Sequence, residues 1–249
     1  MRFQHYYGKR YEKEDSILTL LLFSLVMMSG VEPHRQGREL PDEVPVAEVD
    51  SCALLYSQLG LEGKVSPKAF RTAYHGYYKV TQRHKELLTL IDFTKPSNSE
   101  RLYVIDMAEG TMLFESVVAH GRNSGSLYAT DFSNRSNSHQ SSLGFYLTGE
   151  TYRGSNGYSL RLDGLEKGFN DNARARAIVI HGAKYANPSI CRGGQRLGRS
   201  FGCPALPEQL NRPIIDAIKG GSVLFIYAED PNYLSQSQLV GEGNSAHLS

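Results

Sequence analysis

A chain of 249 residues has room for one large domain or two small ones, since single cores stop growing near ~250–300 residues. Hydrophobic residues at 40% and charged ones at 21% are globular proportions and exclude a fibrous or wholly disordered chain. A formal net charge of +1 gives no basis for the dense phosphate neutralisation of nucleic-acid binding, so no nucleic-acid partner is expected.

Lys9, Arg10 and Lys13 precede an uncharged run from Ile17 to Met28, the charged start and short apolar centre of a secretory signal. The run is too short to span a bilayer comfortably. Met27-Met28-Ser29-Gly30 is a poor small-x-small cleavage site, so residues 1–30 are read as a signal peptide or as an uncleaved N-terminal anchor that attaches the chain to a membrane. No Cys follows for lipidation. Residues 31–46 are rich in Pro, Gly and charge without apolar period, as in a flexible linker.

From Ala47 to Leu61 and again from Pro67 to about Leu90 the apolar residues recur at helical spacing, which predicts a helical segment over 47–96. Ser66 before Pro67 supplies an N-cap with proline at the first helical position. Beyond Pro96 short β-rich runs alternate with Gly, Asn and Ser clusters: 102–107, 112–119, 144–148, 158–162, 177–181 and 222–228. A mainly β domain is therefore expected over 97–230. A late helix is expected over Pro207–Lys219, with Pro207 at its start and Gly220 just past its end, and residues 231–249 are read as a C-terminal tail. The polar segment 121–142 has no clear assignment, and such long loops are usually functional or mobile.

Chemistry concentrates at two places. His181-Gly182 ends the apolar strand Ala177-Ile178-Val179-Ile180, where a polar side chain leaves a rigid element. Gly198-Arg199-Ser200-Phe201-Gly202-Cys203-Pro204-Ala205-Leu206 puts a thiol after a glycine and just before a helix. A nearby imidazole would favour the thiolate, and the amides of Gly202 and Cys203 would serve as oxyanion donors if the turn aims them into a cleft. By itself such a His is more often a hydrogen-bonded structural residue, and such a Cys is as often a small buried residue as a nucleophile. Cys52 and Cys191 could pair in an oxidising compartment and leave Cys203 free, though spacing does not establish connectivity. No C-x-x-C pair is present and three scattered ligands make a poor zinc site, so neither metal nor cofactor is expected.

In order along the chain, AHGRNSG (119–125), SSLGFYLTGETY (141–152), GYSLRLDGLE (157–166), NDNARARAIVIHGA (170–183) and GRSFGCPAL (198–206) resemble the murein L,D-transpeptidase catalytic domain family, in the branch whose motif ends in G-C-P-A. The resemblance covers about 100–227. It implies an L,D-transpeptidase-like β-sandwich or barrel catalytic domain over 97–230, here with an α-helical N-terminal extension. It implies peptidoglycan stem peptides as partners, a periplasmic or cell-envelope location, susceptibility to carbapenems and no obligate protein partner. In the family the Cys attacks the L-to-D amide of a stem tetrapeptide, expels D-alanine and passes the acyl group to an amine. Residue by residue this puts the nucleophile on Cys203, the base on His181 and the oxyanion donors on Gly202 and Cys203.

Two departures stand out. The commonest pattern has a second His before the Gly-Cys pair and an Arg two places after the Cys, where this chain has Phe201 and Ala205. The gap from His181 to Cys203 is also longer and carries Lys184, Arg192, Arg196 and Arg199, charges on which the carboxylates of a stem peptide can act. Arg199, Ser200, Gly182, His120 and Ser142 are weaker substrate-binding candidates. Asp163 and Asp171 precede His181 but suit turns or caps better than orientation of the base. Water in place of the amine would make the chain an L,D-carboxypeptidase, and the missing His and Arg keep open a catalytically degenerate wall-binding module. A papain-like protease is disfavoured, because there the Cys precedes the His.

Overall fold

The computed structural model describes residues 50–240; the expected signal or anchor and the linker lie outside them. Asp50 opens helix α1 (Ser51–Gln58) by accepting from the amides of Cys52 and Ala53 at 3.0 and 3.1 Å. Ser66 caps α2 (Pro67–Lys79), with Pro67 in the first turn and Lys79 in the last, an arrangement that satisfies free amides and opposes the helix dipole. Its apolar face buries Phe70, Ala73, Gly76 and Tyr77.

The second helix is shorter than its period suggested. It ends at Lys79, Val80 turns extended, and Leu87–Asp92 is strand β1. A short apolar run does not distinguish a buried strand from a helix face; here pairing with two distant strands decides it. β1 runs antiparallel to β2 (Leu102–Asp106) and parallel to β8 (Val223–Tyr227). The β domain thus takes in residues ahead of the boundary expected at 97.

β2 continues to β3 (Thr111–Ser116), and on the other side β8 pairs with β4 (Gly144–Gly154), followed by β5 (Gly157–Gly164), β6 (Val179–Gly182) and the two-residue β7 (Ala205–Leu206). The order is β3-β2-β1-β8-β4-β5-β6-β7. Beyond β3, Ala119 exchanges backbone hydrogen bonds with Ala205 at 2.8 and 3.3 Å, so the two edges of the sheet meet and it closes almost into a barrel. This mainly β architecture with few helices is the fold class expected.

The helix α3 (Glu208–Ile218) lies against β5 and β6. The segment after β8 is not a loose tail: α4 (Pro231–Gln236) buries Tyr233, whose hydroxyl donates to Glu166 Oε2 at 2.9 Å. One buried aromatic anchors a stretch too short and polar to show a period. No helix among the described residues is long and apolar enough to cross a membrane.

Gly76 marks the closest approach of α2 to the sheet. A Cβ there would lie 2.0 Å from Cζ of Phe145, whose ring stacks on Phe225 with centroids 4.0 Å apart. Gly76→Ala should therefore cost about 1–3 kcal/mol through overpacking, outweighing the ~1 kcal/mol of helix propensity that alanine restores. A thermal melt should show a drop of several degrees; an equal or higher melting temperature would mean that the Phe145 ring steps aside freely.

Candidate functional site

Cys203 stands at the seam where the sheet closes. His181 on β6 is in register with Ala205 on β7, so the thiol two residues earlier reaches the start of β6. Its Sγ donates to the carbonyl of Ala177 at 3.7 Å and accepts from the amide of Val179 at 3.5 Å. Ala177 is held at φ 55°, a costly conformation for a residue with a Cβ. Burial pushes the thiol above its ordinary value, while the Val179 amide and the charge of Arg176 pull the other way.

His181 is 4% exposed, and burial holds its imidazole below the usual histidine range. Nδ1 lies 3.0 Å from the carbonyl of Gly182. A carbonyl only accepts, so Nδ1 carries the proton and Nε2 presents its lone pair. The imidazole is oriented by its own strand. Asp163 instead binds Arg174, and Asp171 accepts from Asn134 and Gly168. No hydrogen bond joins the imidazole to Cys203 among the described residues; His181 comes from β6 and Cys203 from the turn ahead of β7, with the thiol held by backbone.

The turn before Cys203 is built by Ser200 and Gly202. Ser200 Oγ accepts from the Gly202 amide at 3.0 Å and donates to the Cys203 carbonyl at 2.6 Å. Gly202 has φ 126°, and a Cβ there would lie 2.8 Å from the carbonyl oxygen of Gln140, so only glycine is accommodated. Of the two expected oxyanion donors, the Gly202 amide is engaged by Ser200. The Cys203 amide has no partner among the described residues.

The weaker candidates are mostly structural. His120 is 0% exposed, its Nδ1 accepts from Arg101 at 2.8 Å, and burial with that charge lowers it to about 3; it is sealed behind the seam. Ser142 is buried and its Oγ accepts from Tyr146 at 2.9 Å and Arg176 at 3.2 Å. Gly182 packs on Asn211 of α3. Arg199 donates to the carbonyls of Arg122 and Gly125 at 3.0 and 2.8 Å, fastening the polar segment to the turn.

Cys52 is the buried residue of α1, Cys191 packs on a separate small cluster, and both are free; a disulfide between them is not formed. The insert between His181 and Cys203 folds into 3₁₀ turns at Lys184–Ala186 and Pro188–Gly194 and packs Leu197 inside.

Arg122, His139 and Arg176 escaped the sequence reading, and Phe201 was noted there only as a departure from the family pattern. Phe201 is 64% exposed, with the His139 ring 4.7 Å away and the Arg122 guanidinium 5.5 Å from its centroid. Arg122 and His139 lie in the unassigned segment 121–142. Arg176 lies inside a motif word, and its signal was a cation just ahead of an apolar strand.

A profile of the L,D-transpeptidase catalytic domain matches residues 61–227. The chain belongs to this family. The match begins ahead of α2, so the L,D-transpeptidase domain includes α2 and β1. Among solved structures, the L,D-transpeptidase from Mycobacterium smegmatis is 13% identical over 57% of this chain and 59% of its own, with a TM-score of 0.36. L,D-transpeptidase 1 of Mycobacterium tuberculosis is 13% identical over 57% and 62%, TM-score 0.33. The helical cell shape determining protein Pgp2 from Campylobacter jejuni is 15% identical over 66% and 56%, TM-score 0.40. This L,D-transpeptidase chain spans less than two thirds of the length of each, and no residue role rests on these remote likenesses. No curated protein matches the chain.

Proposed function

We propose that this domain is a cysteine L,D-transpeptidase acting on peptidoglycan stem tetrapeptides. The observation that carries the reading is the contact of His181 Nδ1 with the Gly182 carbonyl, which leaves Nε2 as the acceptor for a proton from Cys203 in the turn ahead of the neighbouring strand. The thiol proton passes to Nε2 as sulfur attacks the carbonyl of the L-to-D amide. The open Cys203 amide donates to the oxyanion. Collapse breaks the amide C–N bond, the imidazolium protonates the departing D-alanine amine, and a thioester remains. An amine of a neighbouring stem attacks it, His181 takes that amine's proton, and the thiol is restored.

Substrate chemistry supports the same reading. Arg199 lies near Arg122 and Arg196, whose charges push against its own, and such a cationic rim suits the carboxylates of a stem peptide. Peptidoglycan as substrate implies export to the periplasm or cell envelope, with the N-terminal segment as signal or membrane anchor.

The test is mass spectrometry of muropeptides incubated with the purified full chain. A dimer lacking one D-alanine is the expected product. Trimmed tripeptide alone would make water the acceptor and the chain a carboxypeptidase, and unchanged tetrapeptide would leave a wall-binding module. Carbapenems, whose strained ring presents an electrophilic carbonyl, should acylate the same thiol. Intact-mass analysis should show one drug adduct, mapping to Cys203 and absent from Cys203→Ala; an adduct on Cys191 would move the reactive thiol elsewhere.

A further inference from the structure

Arg176 sits where the polar segment, the start of β6 and the Cys203 turn converge. Its Nη1 donates to the Ser133 carbonyl at 2.6 Å and Ser142 Oγ at 3.2 Å, and its Nη2 to Ser138 Oγ at 3.2 Å and the Gln140 carbonyl at 2.6 Å. A Cβ on Gly202 would lie 3.4 Å from Nη2, so the guanidinium rests against the residue before Cys203. These acceptors are neutral. They satisfy the N–H groups without cancelling the charge, and no carboxylate pairs with Arg176 among the described residues. A half-buried guanidinium with no counter-ion is costly, and an anion forming beside it relieves that cost.

Two groups facing Arg176 can become negative, Cys203 and Tyr146. Tyr146 is fully buried with its phenol held far above the ordinary range, so it stays neutral. Around Cys203, the titratable groups on the other packed elements are His181 of β6, neutral by burial, and Tyr185 of the first 3₁₀ turn, pushed up to about 12. Arg176 is thus the full charge that faces the thiol among the described residues.

We propose that Arg176 is a positioning residue that clamps the 133–142 segment beneath the Gly202-Cys203 turn and whose unpaired charge favours the thiolate of Cys203. Its importance for turnover rests on Cys203 being the nucleophile; the effect on the thiol itself does not. The 133–142 part of the segment too long and polar to assign from sequence is then the outer wall of the site, gathered by this cation.

The test is the pH dependence of Cys203 alkylation by iodoacetamide in the full chain, followed by peptide mapping, beside thermal melts. Arg176→Gln should slow alkylation at neutral pH about three- to tenfold and move its midpoint to higher pH. Arg176→Lys, which keeps the charge and loses the fork, should melt lower yet keep the wild-type alkylation profile. A folded Arg176→Gln protein with an unchanged profile would overturn the proposal, as would a folded Arg176→Lys protein whose midpoint rises. Should Arg176→Gln fail to fold, the Lys variant decides alone. Alkylation requires no peptidoglycan, so failure of the muropeptide assay would reject the assigned function and leave this result standing.

Discussion

Cys203→Ala is expected to abolish turnover, by a factor of at least about a thousand, since removing a nucleophile leaves only binding and oxyanion contributions. The fold should survive. The turn is shaped by Gly202 at φ 126° and by the Ser200 hydroxyl, none of which the substitution touches. What is lost is a small side chain and one weak acceptor for the Val179 amide, a cost of about 1 kcal/mol. A melt within a few degrees of wild type with no detectable product is the expected pair of results. Full activity in the folded variant would exclude Cys203. Cys191→Ala is the control: Cys191 lies on a separate cluster, and its loss should leave the rate unchanged.

His181→Gln should lower the rate on the order of a hundredfold and flatten its pH dependence. Burial lowers the imidazole and raises the thiol, so above mildly acidic pH the base is already neutral and the thiol still protonated. The wild-type rate should therefore rise from neutral into alkaline pH as the coupled pair loses its proton. Glutamine cannot accept that proton, so the rise should flatten and be pushed to higher pH, where the thiol ionises unaided. Stability responds on the acid side: the folded chain resists protonation of His181, so stability is present above the ordinary histidine value and falls as pH drops below it. His181→Gln should lose that part of the acid sensitivity. A variant that melts lower yet keeps the wild-type rate profile would take His181 out of the mechanism.

How much of this was legible varies with the range of the interaction that decides it. The strands after residue 100 and the helix after Pro207 could be read because each is written in local pattern. Strand β1 could not, because Leu87–Asp92 becomes a strand by lying between β2 and β8. β7 is two residues long and exists only where Ala205 meets His181 and Ala119. The Gly202 amide was legible as a donor but not as one engaged by Ser200 two residues away. Arg176 stood in a matching word, yet its partners lie 34 to 43 positions upstream, beyond what spacing reveals.

The parallel pairing of β1 with β8 also dictates when this molecule can come into being. Its central ladder joins the first strand of the domain to the last, so a nascent chain emerging from the ribosome holds one edge of β1 unpaired until nearly the whole domain has been synthesised. High contact order of this kind slows folding, because loop-closure entropy is spent before the ladder rewards it, and it exposes an apolar strand to aggregation in the interval. A chain truncated before β8 should accumulate as aggregate rather than as a partial domain, and refolding from denaturant should be slow, on a timescale of milliseconds to seconds or longer.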